Sequence, residues 1–317
     1  MMKASNKLRS ILLVICLVLT TMTYMTLPAS AQESQLQQSN EEIVYTPVGP
    51  MLKSHVHKVP NGSYVLKTAD ELKVYASRSD ADKGSECILT IPLERRCPSL
   101  PPQPPAGGWI EWAHNKYSVS NIGRFEAYWT VPSSPPRFGG YGVLSYIFNS
   151  LSEPGEIIQP VLQYGEGCFG SNGNWYGASW YVWGGTCGQA IYSEPIDTAV
   201  GHHIYGYMQY WAGNNPGWSI FFQDRTANMA TALEVGTVLD PDNVTPDIAL
   251  EGYGISGDID VPGDTTFTGI SFKNTSGNSI SVELEGVVDH AKWDGILTGL
   301  GVDVLYNSTR VVLNTVN

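Results

Sequence analysis

Charge is what this sequence has least of. Only 15% of its 317 residues are Asp, Glu, Lys or Arg, with 18 bases against 30 acids. A chain that tracks phosphates needs a basic face to displace counterions, so a formal charge of -12 argues against a nucleic-acid binder. Familiar catalytic signatures are missing too: there is no GxSxG, no HExxH, no Walker loop and no GxGxxG after a strand. Cysteine and histidine are sparse and never fall in a CxxC or Cys/His zinc spacing. His202 and His203 are adjacent, so on a strand they point to opposite faces and cannot share a metal. The acidic stretch Asp240–Asp247 lacks the spacing of a calcium loop. No metal and no cofactor is expected. Past the N-terminus no segment is long and apolar enough to cross a bilayer, and neither heptads nor a repeat of fixed period occur.

What is present begins with an export signal. Lys3, Lys7 and Arg9 precede an apolar run from Ile11 to Leu19, and Ala29-Ser30-Ala31 supplies the small residues a signal peptidase reads. Residues 1–31 are therefore expected to be removed, and the chain to be secreted without stable membrane insertion. Cys16 leaves with the signal. Cys87, Cys97, Cys168 and Cys187 remain, an even number in an exported chain, which points to disulfides. Pairing by proximity gives Cys87 with Cys97 and Cys168 with Cys187. Asn61, Asn243, Asn274 and Asn307 stand in glycosylation sequons.

Three segments follow the signal. Residues 32–96 form a small module of balanced charge, in which Thr68-Ala-Asp-Glu71 has the form of a capping box and predicts a short helix. Residues 97–108 hold five prolines, which exclude helix and sheet interior and predict an extended linker. Residues 109–317 are rich in Gly, Trp and Tyr, with seven bases and 21 acids from position 97 onward, and their apolar period becomes two. Phe125, Ala127, Trp129 and Val131 alternate with Glu126, Tyr128 and Thr130 before Pro132. Further strands are predicted at 142–148, 157–164, 175–183, 203–211, 218–224, 248–255, 266–272, 279–287 and 310–316. Some ten short strands with no βα alternation predict an all-β fold, an antiparallel two-sheet β-sandwich.

Polar residues on strands that otherwise look buried are the strongest functional signal. Gln159 and Gln163 share a strand face with Ile157 and Val161, and Glu251 projects beside Ala249 and Tyr253. A buried amide needs a partner or a task, and a carboxyl group there has a raised pKa. Glu234 is a competing acid.

These stretches carry a resemblance. Gly108-Trp-Ile-Glu-Trp112, Trp129-Thr-Val-Pro132, Tyr146-Ile-Phe-Asn149, Ile158-Gln-Pro-Val-Leu-Gln163, Ala178-Ser-Trp-Tyr181 and Leu250-Glu-Gly-Tyr253 resemble secreted microbial proteins near the glutamic peptidases, eqolisin-type and neprosin-like. Eqolisins have a β-sandwich of concanavalin type, a Leu-Gln-Thr-Gly strand bearing the catalytic Gln, and a later strand bearing the catalytic Glu. The resemblance implies a secreted, monomeric, acid-acting endopeptidase on polypeptides. It places Gln159 as oxyanion donor and Glu251 as the base that activates water, with Gln163, Tyr146, Asn149, Trp180 and Tyr253 binding substrate. Val182 stands where eqolisins have a supporting Glu, a departure from the pattern. Residues 32–96 would be a prosegment or lid, released by cleavage in the linker. The alternative is a non-catalytic sandwich that binds carbohydrate or a protein surface, with Trp175, Tyr176, Trp180, Tyr181, Trp183, Tyr205, Tyr207, Tyr210, Trp211 and Trp218 as stacking residues.

Overall fold

The computed structural model describes residues 42–93, 107–137, 143–165, 167–168, 173–184 and 188–316. In chain order its strands are β1 (Ile43–Thr46), β2 (Gly49–Leu52), β3 (Val56–Val59), β4 (Ser63–Lys67), β5 (Glu71–Tyr75), β6 (Leu89–Pro92), β7 (Gly107–Asn115), β8 (Arg124–Thr130), β9 (Leu144–Glu153), β10 (Glu156–Gly165) and β11 (Trp175–Trp183). Then come β12 (Gln189–Ser193), β13 (Ile196–Thr198), β14 (His203–Trp211), β15 (Gly217–Asp224), β16 (Met229–Gly236), β17 (Thr245–Tyr253), β18 (Thr265–Lys273), β19 (Ser279–Ile280), β20 (Leu284–Val288), β21 (Gly301–Leu305) and β22 (Arg310–Asn314).

Two large sheets face each other as a sandwich. Sheet I runs β20-β7-β17-β9-β10-β11-β12-β3, and sheet II runs β21-β22-β18-β8-β14-β15-β16-β4-β5-β6. The period-two pattern explains this directly: Phe125, Ala127 and Trp129 of β8 enter the core between the sheets, as do Ile158 and Leu162 of β10 and Ile248 and Leu250 of β17. Gly177 and Phe222 mark how closely the layers approach, since a Cβ on Gly177 would fall 1.9 Å from the Phe222 ring. The expected strands are present with shifted ends, except that 279–287 is broken into β19, which pairs with β18 of sheet II, and β20, which pairs with β7 of sheet I. Of those the sequence reading did not mark, β12 and β21 are five residues long and start beside or at glycine, while β16 alternates inward through Thr231, Leu233 and Val235.

The sandwich is mixed rather than wholly antiparallel. Both parallel pairings among the described strands, β3 with β12 and β4 with β16, involve the segment from 43 to 92. That segment therefore contributes edge strands to both sheets, and Val59, Val65, Leu72, Val74 and Ile91 lie in the common core. The hairpin β1–β2 differs, because its strands pair with each other.

The helix expected at Thr68 is a hairpin turn instead. Thr68 Oγ1 accepts from the Glu71 N–H at 3.2 Å, half of a capping box, but the Thr68 N–H donates to Glu71 O and the chain continues as β5. Leu72 and Val74 are buried while Glu71, Lys73 and Tyr75 are half-exposed, a strand pattern that outweighs the cap. Cys87 and Cys168 are free thiols; their expected partners Cys97 and Cys187, and the proline-rich linker up to residue 106, lie outside the described residues.

Leu72 is wholly buried. Leu72→Ala should cost about 2–5 kcal/mol in urea unfolding. A loss under about 0.5 kcal/mol would show that β5 does not share the sandwich core.

Candidate active site

On the outward face of sheet I, the face away from sheet II, strand parity gathers the residues singled out above. Tyr146 of β9 is the cross-strand partner of Gln163 on β10 and of Glu251 on β17. Gln163, Tyr146 and Glu251 thus form one row across three strands, with the amide and the carboxyl about 10 Å apart at their backbones and the Tyr146 ring between them. All three are buried. Glu251 Oε1 accepts from the Tyr253 hydroxyl, two residues along the same face, while Oε2 has no partner among the described residues. Gln163 Nε2 donates to Gly165 O over a long 3.4 Å, and its Oε1 likewise has no partner among them.

Gln159 lies elsewhere. The register of β9 with β10 and β17 sets it level with Ser150 and Asp247, four residues along β10 from Gln163 and about 13 Å away. The strand geometry therefore separates Gln159 from Glu251 and joins Gln163 to it. Parity alone could not choose, because both amides occupy the same face. Asn149 is on the other face: its Oδ1 is 2.9 Å from where a Gly206 Cβ would be, so it points at sheet II and does not share the site face. Trp180 stays on the site face, next to Gln159 in register and stacked on Tyr192 at 4.6 Å. Glu234 takes a hydrogen bond from Ser219 and sits on sheet II, which removes it as a partner for either amide. Of the aromatic residues proposed as a sugar platform, Trp175, Trp180, Tyr181, Trp183 and Trp218 are buried, so they form no exposed surface.

The hairpin β1–β2 covers this face. Its Tyr45 ring lies 4.9 Å from Tyr253, and Met51 packs into the apolar cluster of Phe148, Val161 and Ala249. The Tyr146 hydroxyl donates to Tyr45 O at 2.8 Å, Cys168 Sγ donates to the same oxygen at 3.3 Å, and Gln159 Nε2 donates to Pro47 O at 3.4 Å. Tyr45 escaped notice in the sequence because 32–96 carries modest aromatic content and no motif.

Burial under this cover sets the electrostatics. It raises the Glu251 carboxyl to about 8, with the Tyr253 hydroxyl and the Lys292 charge opposing. Lys292, on the one-turn helix His290–Trp293, gives no signal in the sequence; its Nζ donates to Gly107 O. Asp247 is raised to about 7 by burial, against a hydrogen bond from Ser152. Away from the site, burial lifts Glu111 to about 9.

No protein-family model matches the chain, and no curated protein does. Among solved structures it is similar to Scytalido-glutamic peptidase with a peptide-based transition-state analogue, at 14% identity and TM-score 0.44, over 66% of this chain and 100% of that one. It is similar to the same extent to SCP-B, an eqolisin family member, in complex with the tripeptide Ala-Ile-His. Toad ovary galectin with thio-digalactose is a further match at 11% identity and TM-score 0.28, over 56% of this chain and 98% of that one.

Glu111, Asp247 and Glu251 keep their protons in the folded chain and lose them at ordinary carboxylate values when unfolded. Stability should therefore fall as pH rises from about 5 to about 9. Asp224 and Glu126 act oppositely. Despite their burial, hydrogen bonds from Thr198, the Ala227 N–H and His202 hold Asp224 below its usual value, and Tyr205, Arg124 and Ser271 do the same for Glu126. Their contributions disappear as pH falls through those depressed values. Thermal unfolding followed against pH should show a maximum near pH 4–5, with the alkaline decline reduced in Glu251→Gln.

Proposed function

We propose that the chain is an exported endopeptidase of glutamic type, with Glu251 as general base and acid and Gln163 as oxyanion donor. The observation that supports this reading best is the buried row Gln163–Tyr146–Glu251, in which an amide and a carboxyl flank one aromatic ring and each keeps an oxygen with no partner among the described residues. The stretch Leu162-Gln-Tyr-Gly165 also resembles the eqolisin Leu-Gln-Thr-Gly strand more fully than Ile158-Gln-Pro160 does. The oxyanion role proposed from sequence for Gln159 therefore passes to Gln163.

In this mechanism the ionised Glu251 takes a proton from a water molecule as its oxygen adds to the peptide carbonyl carbon. The carbonyl oxygen becomes an oxyanion and accepts from Gln163 Nε2. Glu251 then returns the proton to the leaving nitrogen as the C–N bond breaks, and regains its charge. With the hairpin in place Glu251 is neutral below about pH 8, so it cannot act as a base at acidic pH. Displacing β1–β2 admits water and lets the carboxyl ionise at lower pH. Since β3 to β6 are strands of the two sheets, uncovering the site needs the movement or removal of residues 43–52 rather than of the whole segment to 96. Lys53 and Ser54, exposed between β2 and β3, are the accessible hinge.

Casein or peptide hydrolysis by the secreted protein at about pH 4, near the ordinary carboxylate pKa, tests the reading. Glu251→Gln should abolish turnover, and Gln163→Ala should lower kcat by about 10²–10³. Equal rates in wild type and Glu251→Gln would remove Glu251 from the reaction.

A further inference from the structure

The side-chain hydrogen bonds that sheet I gives the hairpin all go to hairpin backbone among the described residues. The oxygens of Tyr45, on β1, and Pro47, the first residue of the hairpin turn, are both taken from the sheet side, at the two-residue spacing of the carbonyls on one side of an extended strand. The donors are side chains of sheet I, the Tyr146 hydroxyl and the Gln159 amide. A donor that holds a main-chain carbonyl does not depend on the side chain that accompanies it. Beyond Pro47, Val48 lines, together with Ser152, Gly155, Ile157, Val182 and Trp183, an open cavity of about 190 Å³. Its acidic rim is already engaged: Glu156 pairs with Lys67, and Glu153 accepts from the Asp240 N–H. What remains for an incoming side chain is apolar and small.

The fit to the hairpin is incomplete. Gln159 is wholly buried, its bond to Pro47 O is long at 3.4 Å, and its Oε1 has no partner among the described residues; nor has Ser150 Oγ, level with it on β9. The hairpin can also leave as a unit. Its turn is closed internally by Thr46 Oγ1 donating to Gly49 O at 2.8 Å, and β1 and β2 pair with each other.

We infer that the outward face of sheet I, from Gln163 to Ile157, is a binding groove for an extended polypeptide, in which Gln159 holds a backbone carbonyl two residues past the one held by Tyr146. The apolar surface of Ile157 and Val182, against which Val48 packs now beside the open cavity, takes a small branched apolar side chain, and Tyr253 receives an aromatic residue three positions before it, as it receives Tyr45 now. The ligand is a peptide segment with that spacing. That this ligand is a substrate rests on the peptidase reading; that it binds does not.

The test uses the full exported chain in the Glu251→Gln background, so that no turnover enters the readout. A labelled linear peptide with the sequence of residues 43–49 is titrated into this chain and into the same chain carrying Tyr45→Ala and Val48→Asp. The second should bind the peptide at least about tenfold more tightly, because its own hairpin no longer competes. Adding Gln159→Leu should weaken that binding about fivefold, the loss of one neutral hydrogen bond, and Val48→Asp within the peptide should weaken it further. Equal binding with and without the hairpin changes, or binding indifferent to Gln159→Leu, would overturn the groove.

Cys168 reports on displacement, since it lies under Tyr45 O while Cys87 does not. In the reduced protein its labelling rate relative to Cys87 should rise in the Tyr45→Ala, Val48→Asp chain, with a cooperative thermal transition retained. An unchanged rate would show that these two side chains do not anchor the hairpin and would refute the assignment. In the active chain, Gln159→Leu should raise KM more than it lowers kcat. Peptide binding without any hydrolysis would refute the peptidase reading alone, and hydrolysis with KM unmoved by Gln159→Leu would refute the groove alone.

Discussion

A carboxyl group withdrawn from water, with no cation bonded to it among the described residues, is the constraint on which the site depends. Glu251 sits in an apolar, aromatic surround of Tyr146, Tyr253 and Tyr45, with one oxygen bonded to a phenol and the other unpartnered among the described residues. The low-dielectric surround favours its neutral form, and the Lys292 charge offsets only part of that preference. A neutral acid and a neutral amide in one row are chemically idle. Whatever readmits water to the row also restores the charge, so access and reactivity are governed by the same event.

The rest of the architecture serves that arrangement. A sheet in a sandwich has one face against its partner and one face to cover, and here the second face of sheet I is nearly as apolar as the first. Ten residues of hairpin close much of it. Their hold is uneven, strong where Tyr45 stacks and Met51 is buried, weaker at the long Gln159 bond. The remaining strands of the N-terminal segment do something different: they complete sheet edges and fill the core with Leu72, Val74 and Ile91. One stretch of chain thus combines a fixed part and a loosely held part, divided at the turn Lys53–His55, in which Lys53 and Ser54 are exposed and His55 is buried.

How much of this could be read from the residues follows from which interactions are local. Strand alternation is local, so the all-β sandwich and the strands at 175–183 and 203–211 were legible, as was the shared face of Gln159, Gln163 and Glu251. Register is not local. Which glutamine stands opposite Glu251 depends on how β9 lies between β10 and β17, and no property of Ile158-Gln-Pro-Val-Leu-Gln163 reveals it. Asn149 failed as a site residue for the converse reason, because one step of parity turned it toward Gly206. At Thr68 a genuine local preference was formed and then used for a different end, a hairpin whose alternating Leu72 and Val74 required extended backbone. The hairpin cover left no trace in the sequence, since backbone carbonyls, not distinctive side chains, make its polar contacts.

The two parallel pairings have a consequence for the order of assembly. β3 and β4 leave the ribosome early, but β12 and β16, against which they lie, are separated from them by well over a hundred residues. Closing such long loops is slow. β4 can pair at once with β5, and β5 with β6, but the outer edges of β3 and β4 must wait for β12 and β16 before this segment joins the two sheets. The segment from 43 to 92 therefore joins the sheets late, carrying with it the hairpin that lies across the buried row.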